Sequence, residues 1–464
     1  MNAKTAMSGG EKVLIDPRDF RSFCFRGEGR ANFVISAKHR YNDSRIVWRF
    51  AKERKSGLMT VKARSEMVND YMERIVSPFF DDKYLVNMSI VEFDTIDVHH
   101  LAKIPALPAN QKIERFEELF DLPEEISFLP ITAFQKTNGD SIITHPKRLS
   151  SLQMLDATQL PNSSVLDDFG CSTITIEIKP KQGFLQKHDN ISIQNCNNCI
   201  MQFEKCGSAH FSEMYDFCPL DLFSSSFSRS KSAIFSLFLV PHRNLRIFRD
   251  GNLVHSDEKP LDEKMFDATL FPRNEAKTDD LITALSLIMS GSSSRKRFKL
   301  HKTSVLGQIL QAQKIDEIGI VKAHEIYAKL DTASKSELLD KSALSRIGIE
   351  SILGNCPPKK CTMRLEDFER MQKLRRYFVA ATMKDCSVMV SMRLIPRNLE
   401  FNGENVLRLN NGRQFAYSIK IVDLDPKTPK NLINAYSRFM SGAKLIKLES
   451  ETRHNQRGIS ECCE

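Results

Sequence analysis

Apolar and polar residues alternate along residues 173–181, Thr-Ile-Thr-Ile-Glu-Ile-Lys-Pro-Lys. A period of two is typical of a β-strand with one buried face. Three isoleucines share the face that would enter a core, whereas Glu177, Lys179 and Lys181 share the other face. Pro180 has no backbone donor and therefore marks either a sheet edge or the end of the strand. Two interpretations stay open: a solvated face of an edge strand, or a rigid platform that positions charges for a phosphate-handling site.

The N-terminal part of the chain shows further strand patterns. Two short apolar runs, 23–25 and 33–35, flank a turn that contains Gly27 and Gly29, and a third strand is predicted at 45–50. Because glycine has no side chain, backbone N–H groups of such a turn can approach a phosphate. Alone this is a weak signal, and the pattern favours a plain hairpin turn.

Helical spacing predicts a helix over residues 61–76, which Ser77-Pro78 would end. Further predicted elements are a strand at 84–91, loops and short helices at 95–140, and helices within 305–328, 343–353 and 365–384.

Two apolar strands near the C-terminal end each carry an acid at one end. Asp385 precedes the run 386–392, Asp423 follows the run 415–422, and Asn410-Asn411-Gly412 between them is a strong turn signal. If the two strands pair antiparallel, both acids lie at the same rim of the sheet. They could serve there as a base and a magnesium ligand in phosphoryl transfer, or be exposed caps beside turns.

Composition narrows the class of protein. The chain has 464 residues, of which 41% are hydrophobic and 27% charged, values ordinary for a globular protein with two domains or one bilobal enzyme. No apolar run is long enough to cross a bilayer, and the polar N-terminal residues do not resemble a signal peptide, so we expect a reducing intracellular compartment and free thiols. The net charge of +9 suggests an anionic partner: nucleic acid, an acidic membrane surface or a highly phosphorylated small molecule.

Two stretches could carry chemistry of another kind. Cys196-Asn197-Asn198-Cys199 has zinc-like spacing, but one such pair without a second ligand pair is a weak metal signal, and we expect free thiols near a helix start. The basic run Arg295 to Lys302 is expected to be a solvated linker, with a nuclear-import or nucleic-acid patch as the alternative.

Residues 177–184, Glu-Ile-Lys-Pro-Lys-Gln-Gly-Phe, resemble the Glu-x-Lys-Pro-Lys signature of the inositol-pentakisphosphate 2-kinase family. Four further stretches resemble the family in the same order: Gly-Glu-Gly-x-Ala-Asn at 27–32, Pro-Leu-Asp-Leu-Phe-Ser at 219–224, Lys-Asp-Cys-Ser at 384–387 and Val-Asp-Leu-Asp-x-Lys at 422–427. The resemblance implies an α+β, bilobal inositol polyphosphate kinase-like fold. It also implies the use of ATP and Mg²⁺ to phosphorylate the 2-hydroxyl of inositol 1,3,4,5,6-pentakisphosphate, which gives inositol hexakisphosphate (phytate).

The resemblance also implies a role for each matching residue. Asp385 and Lys179 are the implied catalytic residues, Asp423 is the implied magnesium ligand, and Asp425 is a candidate second metal contact. The implied nucleotide-binding residues are Gly29, Arg30, Ala31, Asn32, Arg49, Asp167, Asp168, Phe169, Glu177 and Arg246. The implied substrate-binding residues are Arg148, Lys179, Lys181, Lys205, Arg243, Lys427, Lys430 and Tyr436. Asn431 stands where the family has an arginine.

The expected organisation is an N-terminal nucleotide-binding lobe at 14–166, a C-terminal lobe with substrate and catalytic residues at 167–450, and a polar tail at 451–464. Plant members of the family bind structural zinc near the region of His324, Cys356 and Cys361, but a fourth ligand is missing here and we expect no structural zinc. We expect a monomer in the cytoplasm and/or nucleus, with no membrane or nucleic-acid partner. The alternative is a basic nucleic-acid-binding protein with a degenerate kinase fold.

Overall fold

The structure is a computed structural model that describes residues 13–28, 32–42, 44–52, 61–108, 111–127, 129, 135–138, 141–144, 148–160, 166, 169–189, 191, 193–208, 214, 216–354, 364–399, 401, 403, 405–452 and 462. Of residues 28, 61–64, 135–138, 141–144 and 449–452 it describes the backbone alone. The chain forms two compact units, Met1–Asn69 with Val86–Asp156, and Asp70–Leu85 with Ala157–Glu464. The sequence predicts a lobe boundary between residues 166 and 167 and places residues 70–85 in the first lobe, whereas these residues belong to the second compact unit.

The first unit is built on a seven-stranded sheet of described residues with the order β1-β5-β9-β4-β3-β2-β6. A separate hairpin pairs β7 with β8. The strands are β1 Val13–Leu14, β2 Phe20–Glu28, β3 Asn32–His39, β4 Arg45–Ala51, β5 Met88–Asp94, β6 Lys112–Arg115, β7 Gln135–Asn138, β8 Ser141–Thr144 and β9 Arg148–Leu155. Helices α1 Val61–Tyr71 and α2 Thr95–Leu101 are the α-helices described before β9, and one π-helical turn, Met72–Val76, continues α1.

Aromatic residues on alternate positions of these strands form the core of the first unit. Phe23, Phe33 and Trp48 are fully buried, and the Trp48 indole N–H donates to Gln153 at 2.9 Å. The predicted hairpin of β2 and β3 is confirmed, with Phe25 opposite Ile35. The sequence therefore predicted the three consecutive strands β2, β3 and β4, whereas β1 and β9 were not predicted and β6 lies where loops and short helices were expected.

The predicted strand at 84–91 is wrong in its first part, since β5 begins at Met88. Asp82–Tyr84 forms a 3-10 turn, and the ammonium group of Lys420 donates to the backbone carbonyls of Lys83 and Leu85 at 2.9 and 2.8 Å. These contacts with a residue distant in sequence hold the segment out of a strand, which a local pattern cannot indicate.

The second unit contains an antiparallel six-stranded sheet of described residues with the order β12-β11-β10-β13-β15-β14. The strands are β10 Thr173–Ile178, β11 Leu245–Arg249, β12 Asn252–His255, β13 Ser387–Ile395, β14 Val406–Arg408 and β15 Gln414–Val422. β10 lies between β11 and β13, so the edge-strand interpretation of residues 173–181 is wrong. Pro180 follows the last residue of β10 and marks the end of the strand.

Helices make up much of the rest of this unit. They are α3 Asn197–Gly207, α4 Pro219–Leu222, α5 Phe227–Leu239, α6 Phe266–Leu270, α7 Thr278–Ser290, α8 Val305–Gln313, α9 Gly319–Lys329, α10 Thr332–Leu339, α11 Ala343–Ile347, α12 Ile349–Leu353, α13 Leu365–Met383 and α14 Pro429–Thr452. With two larger sheets and these helices the protein is mixed α+β, as predicted. None of its described helices is both long and apolar enough to cross a membrane.

The basic segment 295–302 connects α7 to α8 inside the second unit. Arg295 donates to the Thr283 hydroxyl at 3.1 Å and its guanidinium lies 5.2 Å from the centre of the Phe227 ring. The segment is a mostly exposed connection between two helices, as predicted, and the contacts of Arg295 fix its first turn on the surface of the unit.

Candidate active site

The ends of three neighbouring strands form one charged rim of the second sheet. The predicted antiparallel pairing of the two acid-bearing strands is confirmed, with Ser387 of β13 opposite Val422 of β15. Asp385 precedes β13 and Asp423 follows β15, so both acids lie at this rim. β10 pairs with the other side of β13 and ends at the same rim, where it leads into Lys179 and Lys181.

Three lysines pair with the two acids. The Lys179 ammonium lies 2.8 Å from Oδ2 of Asp423, while Lys181 and Lys427 lie 3.1 and 2.6 Å from Oδ1 and Oδ2 of Asp385. The acid side chains are 48% and 52% exposed, so a ligand could reach both carboxylates. Lysines and carboxylates therefore share one accessible surface. The lysines can bind phosphates there, and a carboxylate oxygen can act as a base or as a metal ligand.

The lysines determine the charge state of Asp385. Burial alone would raise the pKa of this carboxyl, but the positive charges of Lys181, Lys427 and Lys179 outweigh burial and hold the pKa well below its usual range. Burial likewise would lower the pKa of Lys179, and Asp423 and Asp385 raise it above its usual range. Asp385 is thus a carboxylate and Lys179 an ammonium group throughout the physiological pH range.

Three loops at this rim hold a non-glycine residue in the left-handed region of backbone space. The φ angles are 61° at Lys181, 66° at Asp423 and 60° at Arg243. Such a conformation costs about 1–3 kcal/mol for a non-glycine residue and persists only where the surroundings impose it. The Lys179 backbone N–H, which donates to the Asn244 carbonyl at 2.9 Å, links the loops of Lys181 and Arg243.

A buried glutamine fixes two of the loops to each other. The Gln313 side chain, at the end of α8, accepts from the Gly183 N–H at 2.9 Å and donates to the carbonyls of Lys181 and Met383 at 2.7 and 3.1 Å. Gln313 is fully buried. One side chain thus positions both the lysine loop and the residues just before Asp385. No local sequence pattern indicates this role, because all three partners are distant along the chain.

Close packing also supports both loops. A Cβ at Gly183 would come within 2.4 Å of the Phe223 ring, so this position of the signature requires glycine. On the other side, Lys384 forms a 2.6 Å ion pair with Asp316, whose second oxygen accepts from the N–H groups of Ile318 and Gly319. The lysine of Lys-Asp-Cys-Ser therefore anchors the chain beside Asp385.

A group of cations extends from the rim to α3. The pKa of Lys205 is lowered to about 8 by burial and by the nearby positive charges of Lys181, Arg438 and Arg243, with Glu204 opposing them. Cations that lower the pKa of one another are costly to hold together, and a polyanion would relieve the repulsion.

Arg438 is a residue of this group that the sequence motifs did not indicate. Its guanidinium lies 2.8 Å from Glu204. Arg438 follows Asn431 by seven residues along α14 and so lies on the same helix face. Asn431, where the family has an arginine, instead accepts from the backbone N–H and the hydroxyl of Thr428 at 2.9 and 3.0 Å, and so caps the helix. Arg438 therefore places a guanidinium on the helix face from which the arginine at position 431 is missing.

Two residues implied to bind nucleotide are brought together on the sheet. Glu177 of β10 lies directly opposite Arg246 of β11. Opposite residues of an antiparallel pair share one face, with their Cβ atoms about 4.5–5.5 Å apart.

The other implied residues are distributed as follows. Asn32 begins β3, Arg49 lies half-buried in β4 and Arg148 begins β9, all in the first unit. In the second unit, Phe169 and Lys430 are exposed, Asp425 is half-buried and Tyr436 stacks on His324 with 3.7 Å between ring centres. Outside the described residues lie Gly29, Arg30, Ala31, Asp167, Asp168, Cys356 and Cys361.

The fold and the rim together define an α+β protein with a lysine-rich, carboxylate-bearing site for phosphorylated ligands. Comparison with known proteins gives the family: residues 25–438 match the model of the inositol-pentakisphosphate 2-kinase family, and the chain belongs to that family. The resemblance of the five sequence stretches is thereby confirmed.

Individual relatives are similar at modest identity. An inositol-pentakisphosphate 2-kinase of Oryza sativa subsp. indica is 28% identical over 278 residues, which cover 58% of this chain and 59% of the relative. One from Danio rerio is 27% identical over 343 residues, covering 61% and 68% of the two chains, respectively. One from Arabidopsis thaliana is 23% identical over 468 residues, covering 92% and 93%.

Proposed function

We propose that the protein is a kinase that transfers a phosphoryl group from ATP to the 2-hydroxyl of inositol 1,3,4,5,6-pentakisphosphate, giving inositol hexakisphosphate. The observation that carries the proposal is the charged rim, where Lys181 and Lys427 hold Asp385 between them beside the Lys179–Asp423 pair. Membership of the inositol-pentakisphosphate 2-kinase family and the names of its relatives support this substrate and an inositol polyphosphate kinase-like bilobal fold.

The cation group suits a substrate with many phosphates. Five of the implied substrate residues have ion pairs or mutual repulsion in this part of the structure: Lys179, Lys181, Lys205, Arg243 and Lys427. We add Arg438 to them. Their charges would offset the phosphates, which would otherwise repel the nucleotide.

Asp385 would orient the 2-hydroxyl and accept its proton. In the free protein its low pKa makes it a weak base. Substrate phosphates would share Lys181 and Lys427 with Asp385, and this sharing raises the pKa of the carboxyl because its counter-charges are partly neutralised. Substrate binding itself would therefore make Asp385 a better proton acceptor.

Asp423 has the properties of a magnesium ligand. It is a half-exposed carboxylate, and its ion pair with Lys179 uses Oδ2, so that among the described contacts Oδ1 accepts no hydrogen bond. Carboxylate oxygens are ligands that Mg²⁺ prefers. Magnesium bound there would offset negative charge on the nucleotide phosphates, and Lys179 would contribute to the same purpose from the protein. Asp425 is the candidate second contact, with Glu177 and Arg246 on the nucleotide side.

The experiment is a turnover assay with ATP, Mg²⁺ and inositol pentakisphosphate, followed by chromatography of the products. We expect inositol hexakisphosphate to form and expect no phosphorylation when inositol hexakisphosphate is the acceptor, since its 2-hydroxyl is already esterified. Equal phosphate transfer to both acceptors would overturn the proposal.

A filter-binding assay with nucleic acid tests the alternative function in parallel. Nucleic-acid binding without ATP consumption would favour the degenerate kinase fold. We also propose that the protein is a monomer and that it resides in the cytoplasm and/or nucleus, compartments in which cysteines such as those of the described residues stay reduced.

A further inference from the structure

A buried threonine contacts both acid-bearing segments of the charged rim. Thr382 lies in the last turn of α13, and its side chain is fully buried. The Thr382 hydroxyl donates to the backbone carbonyl of Asp425 at 3.1 Å, and the Thr382 carbonyl accepts from the Asp385 N–H at 3.1 Å. Asp425 comes two residues after Asp423. One residue therefore holds the backbone of the proposed base and the chain just beyond the proposed magnesium ligand.

A second buried hydroxyl extends this chain of hydrogen bonds. The Tyr71 hydroxyl lies 3.1 Å from the Thr382 hydroxyl, and the Tyr71 side chain is also fully buried. A threonine hydroxyl has one hydrogen, so while Thr382 donates to Asp425 it accepts from Tyr71. A competing acceptor, the carbonyl of Phe378, is farther from the Thr382 hydroxyl, at 3.5 Å. The chain of donors therefore runs from Tyr71 through Thr382 to the Asp425 carbonyl.

Tyr71 keeps the proton that this arrangement needs. Burial raises the pKa of Tyr71 far above its usual range, the hydrogen bond with Thr382 opposes the rise, and the negative charge of Asp425 adds to it. The tyrosine is therefore a hydrogen-bond donor throughout the physiological pH range. Tyr71, Thr382 and both acid-bearing segments belong to the second unit.

The segment that carries the proposed magnesium ligand is held at two points. Leu424 is 3% exposed, and the carbonyl of Asp425 accepts from Thr382. Asp423 itself has a φ of 66°, a backbone conformation that persists only where the surroundings impose it. The Thr382 hydrogen bond supplies part of this restraint, and without it Asp423 would be free to move relative to Asp385.

We propose that Thr382, supported by Tyr71, is a positioning residue that sets the place of the Asp423 segment relative to Asp385 and thereby the affinity of the site for a divalent cation bound with the nucleotide. This inference rests on the proposed function, in which Asp423 holds magnesium. Sequence motifs did not indicate the pair, because 311 residues separate Tyr71 from Thr382. Loss of contacts that orient metal ligands typically costs about tenfold to a hundredfold in metal affinity.

The test measures binding of Mn²⁺ by electron paramagnetic resonance, with full-length protein and a non-hydrolysable ATP analogue. Thr382→Val replaces the hydroxyl by a methyl group and should weaken Mn²⁺ binding by about tenfold to a hundredfold. Thr382→Ser keeps the hydroxyl and should bind Mn²⁺ like the wild type.

A pair of tyrosine variants gives a milder test of the same chain. Tyr71→Phe should weaken Mn²⁺ binding by about twofold to tenfold, the effect of one lost hydrogen bond. Tyr84→Phe is the matched control, because it removes the hydroxyl of another buried tyrosine, which donates to the Thr303 carbonyl at 3.2 Å. Mn²⁺ affinity should be unchanged in Tyr84→Phe.

Turnover separates positioning from a role in the fold alone. In folded Thr382→Val, kcat should stay at least about tenfold below the wild-type value even at saturating Mg²⁺, because the metal would be displaced from Asp385. The KM for inositol pentakisphosphate should be largely unchanged. A kcat equal to that of the wild type at saturating Mg²⁺ would show that the metal is not displaced and would overturn the positioning role.

The binding results also decide against the inference if they differ from these expectations. Wild-type Mn²⁺ affinity in Thr382→Val would overturn it, and if that variant does not fold, wild-type affinity in Tyr71→Phe would do so. Thr382→Ser impaired as strongly as Thr382→Val would also overturn it, since the hydroxyl would then not be the cause. If the variants differ in Mn²⁺ binding as expected but the wild type does not phosphorylate inositol pentakisphosphate, the proposed function fails and the positioning role stands. A wild type that binds no Mn²⁺ with the nucleotide analogue would overturn both.

Discussion

Single side chains at the rim act through the charges that face them. The positive charges of three lysines outweigh burial and hold the pKa of Asp385 low, whereas burial and neighbouring cations lower the pKa of Lys205 to about 8. An anion that binds among the lysines should therefore change the pKa of both groups. The pH dependence of binding can then be used to measure such a change.

Lys205 should make substrate binding depend on pH. Its pKa of about 8 lies below the ordinary value, so the charged form is fully present below pH 8 and is lost as the pH rises through 8. Bound phosphate favours the charged form, and binding above that pH must take up a proton. Affinity for inositol pentakisphosphate should fall by up to about tenfold per pH unit between about pH 8 and 10.

Calorimetric titration without ATP across this pH range measures the effect. Lys205→Arg, whose guanidinium stays charged, should remove the part of the pH dependence that Lys205 causes and leave only the titration of the substrate phosphates. An unchanged pH profile in Lys205→Arg would show that Lys205 does not meet the substrate.

At the level of secondary-structure elements, the charged residues of the rim lie in loops at the ends of strands. Buried contacts with these loops determine their positions. Gln313→Glu should disturb two loops at once, because a carboxylate cannot donate to the carbonyls of Lys181 and Met383. We expect a loss of about 1–3 kcal/mol in the free energy of unfolding. We also expect a lower kcat at temperatures where the variant is fully folded.

Denaturant unfolding and steady-state kinetics check this expectation against Gln311→Glu. Gln311 on the same helix also donates to a backbone carbonyl, that of Lys302 at 2.9 Å, but it is exposed, so water can replace this bond. Its substitution should change stability by less than about 0.5 kcal/mol. If Gln313→Glu loses stability but keeps the wild-type kcat, Gln313 supports the fold without positioning the site.

Residues at the end of β10 and residues beside its middle should contact different ligands. Lys181 lies in the loop after β10, among the substrate cations, whereas Arg246 lies opposite Glu177 within the sheet. Lys181→Ala should weaken binding of inositol pentakisphosphate more than binding of ATP, and Arg246→Ala should do the opposite. Binding titrations of both variants with each ligand decide the matter, and equal effects on the same ligand would contradict it.

Strands and helices were predictable where one face packs on a core. The alternation in β10 and the turn at Asn410-Asn411-Gly412 gave correct elements, because period and turn chemistry are local. β6 was missed, since Ile113 is its single apolar residue. The predicted helices at 305–328 and 343–353 are each divided, at Gly319 and Gly348, where φ is positive.

At the scale of the whole molecule, the family match from residue 25 to 438 includes every residue to which the motifs assign a role. Asp385 and Asp423 could be placed together from the sequence, because one acid precedes and the other follows an apolar strand, and the two strands pair antiparallel. The predicted turn at Asn410-Asn411-Gly412 joins β15 to β14, a strand that was not predicted. Gln313 and Arg438 could not, because their partners are distant along the chain and leave no periodic signal.

In the proposed mechanism, Asp385 and Asp423 have different tasks at one rim. Magnesium titrations of Asp385→Asn and Asp423→Asn at saturating inositol pentakisphosphate test it most directly. Asp385→Asn should lower kcat by about a hundredfold to ten-thousandfold at every magnesium concentration, with ATP and substrate affinity largely kept. Asp423→Asn should weaken magnesium binding and recover part of its activity in excess magnesium. Rescue of Asp385→Asn but not of Asp423→Asn, or full activity in both variants, would contradict the account.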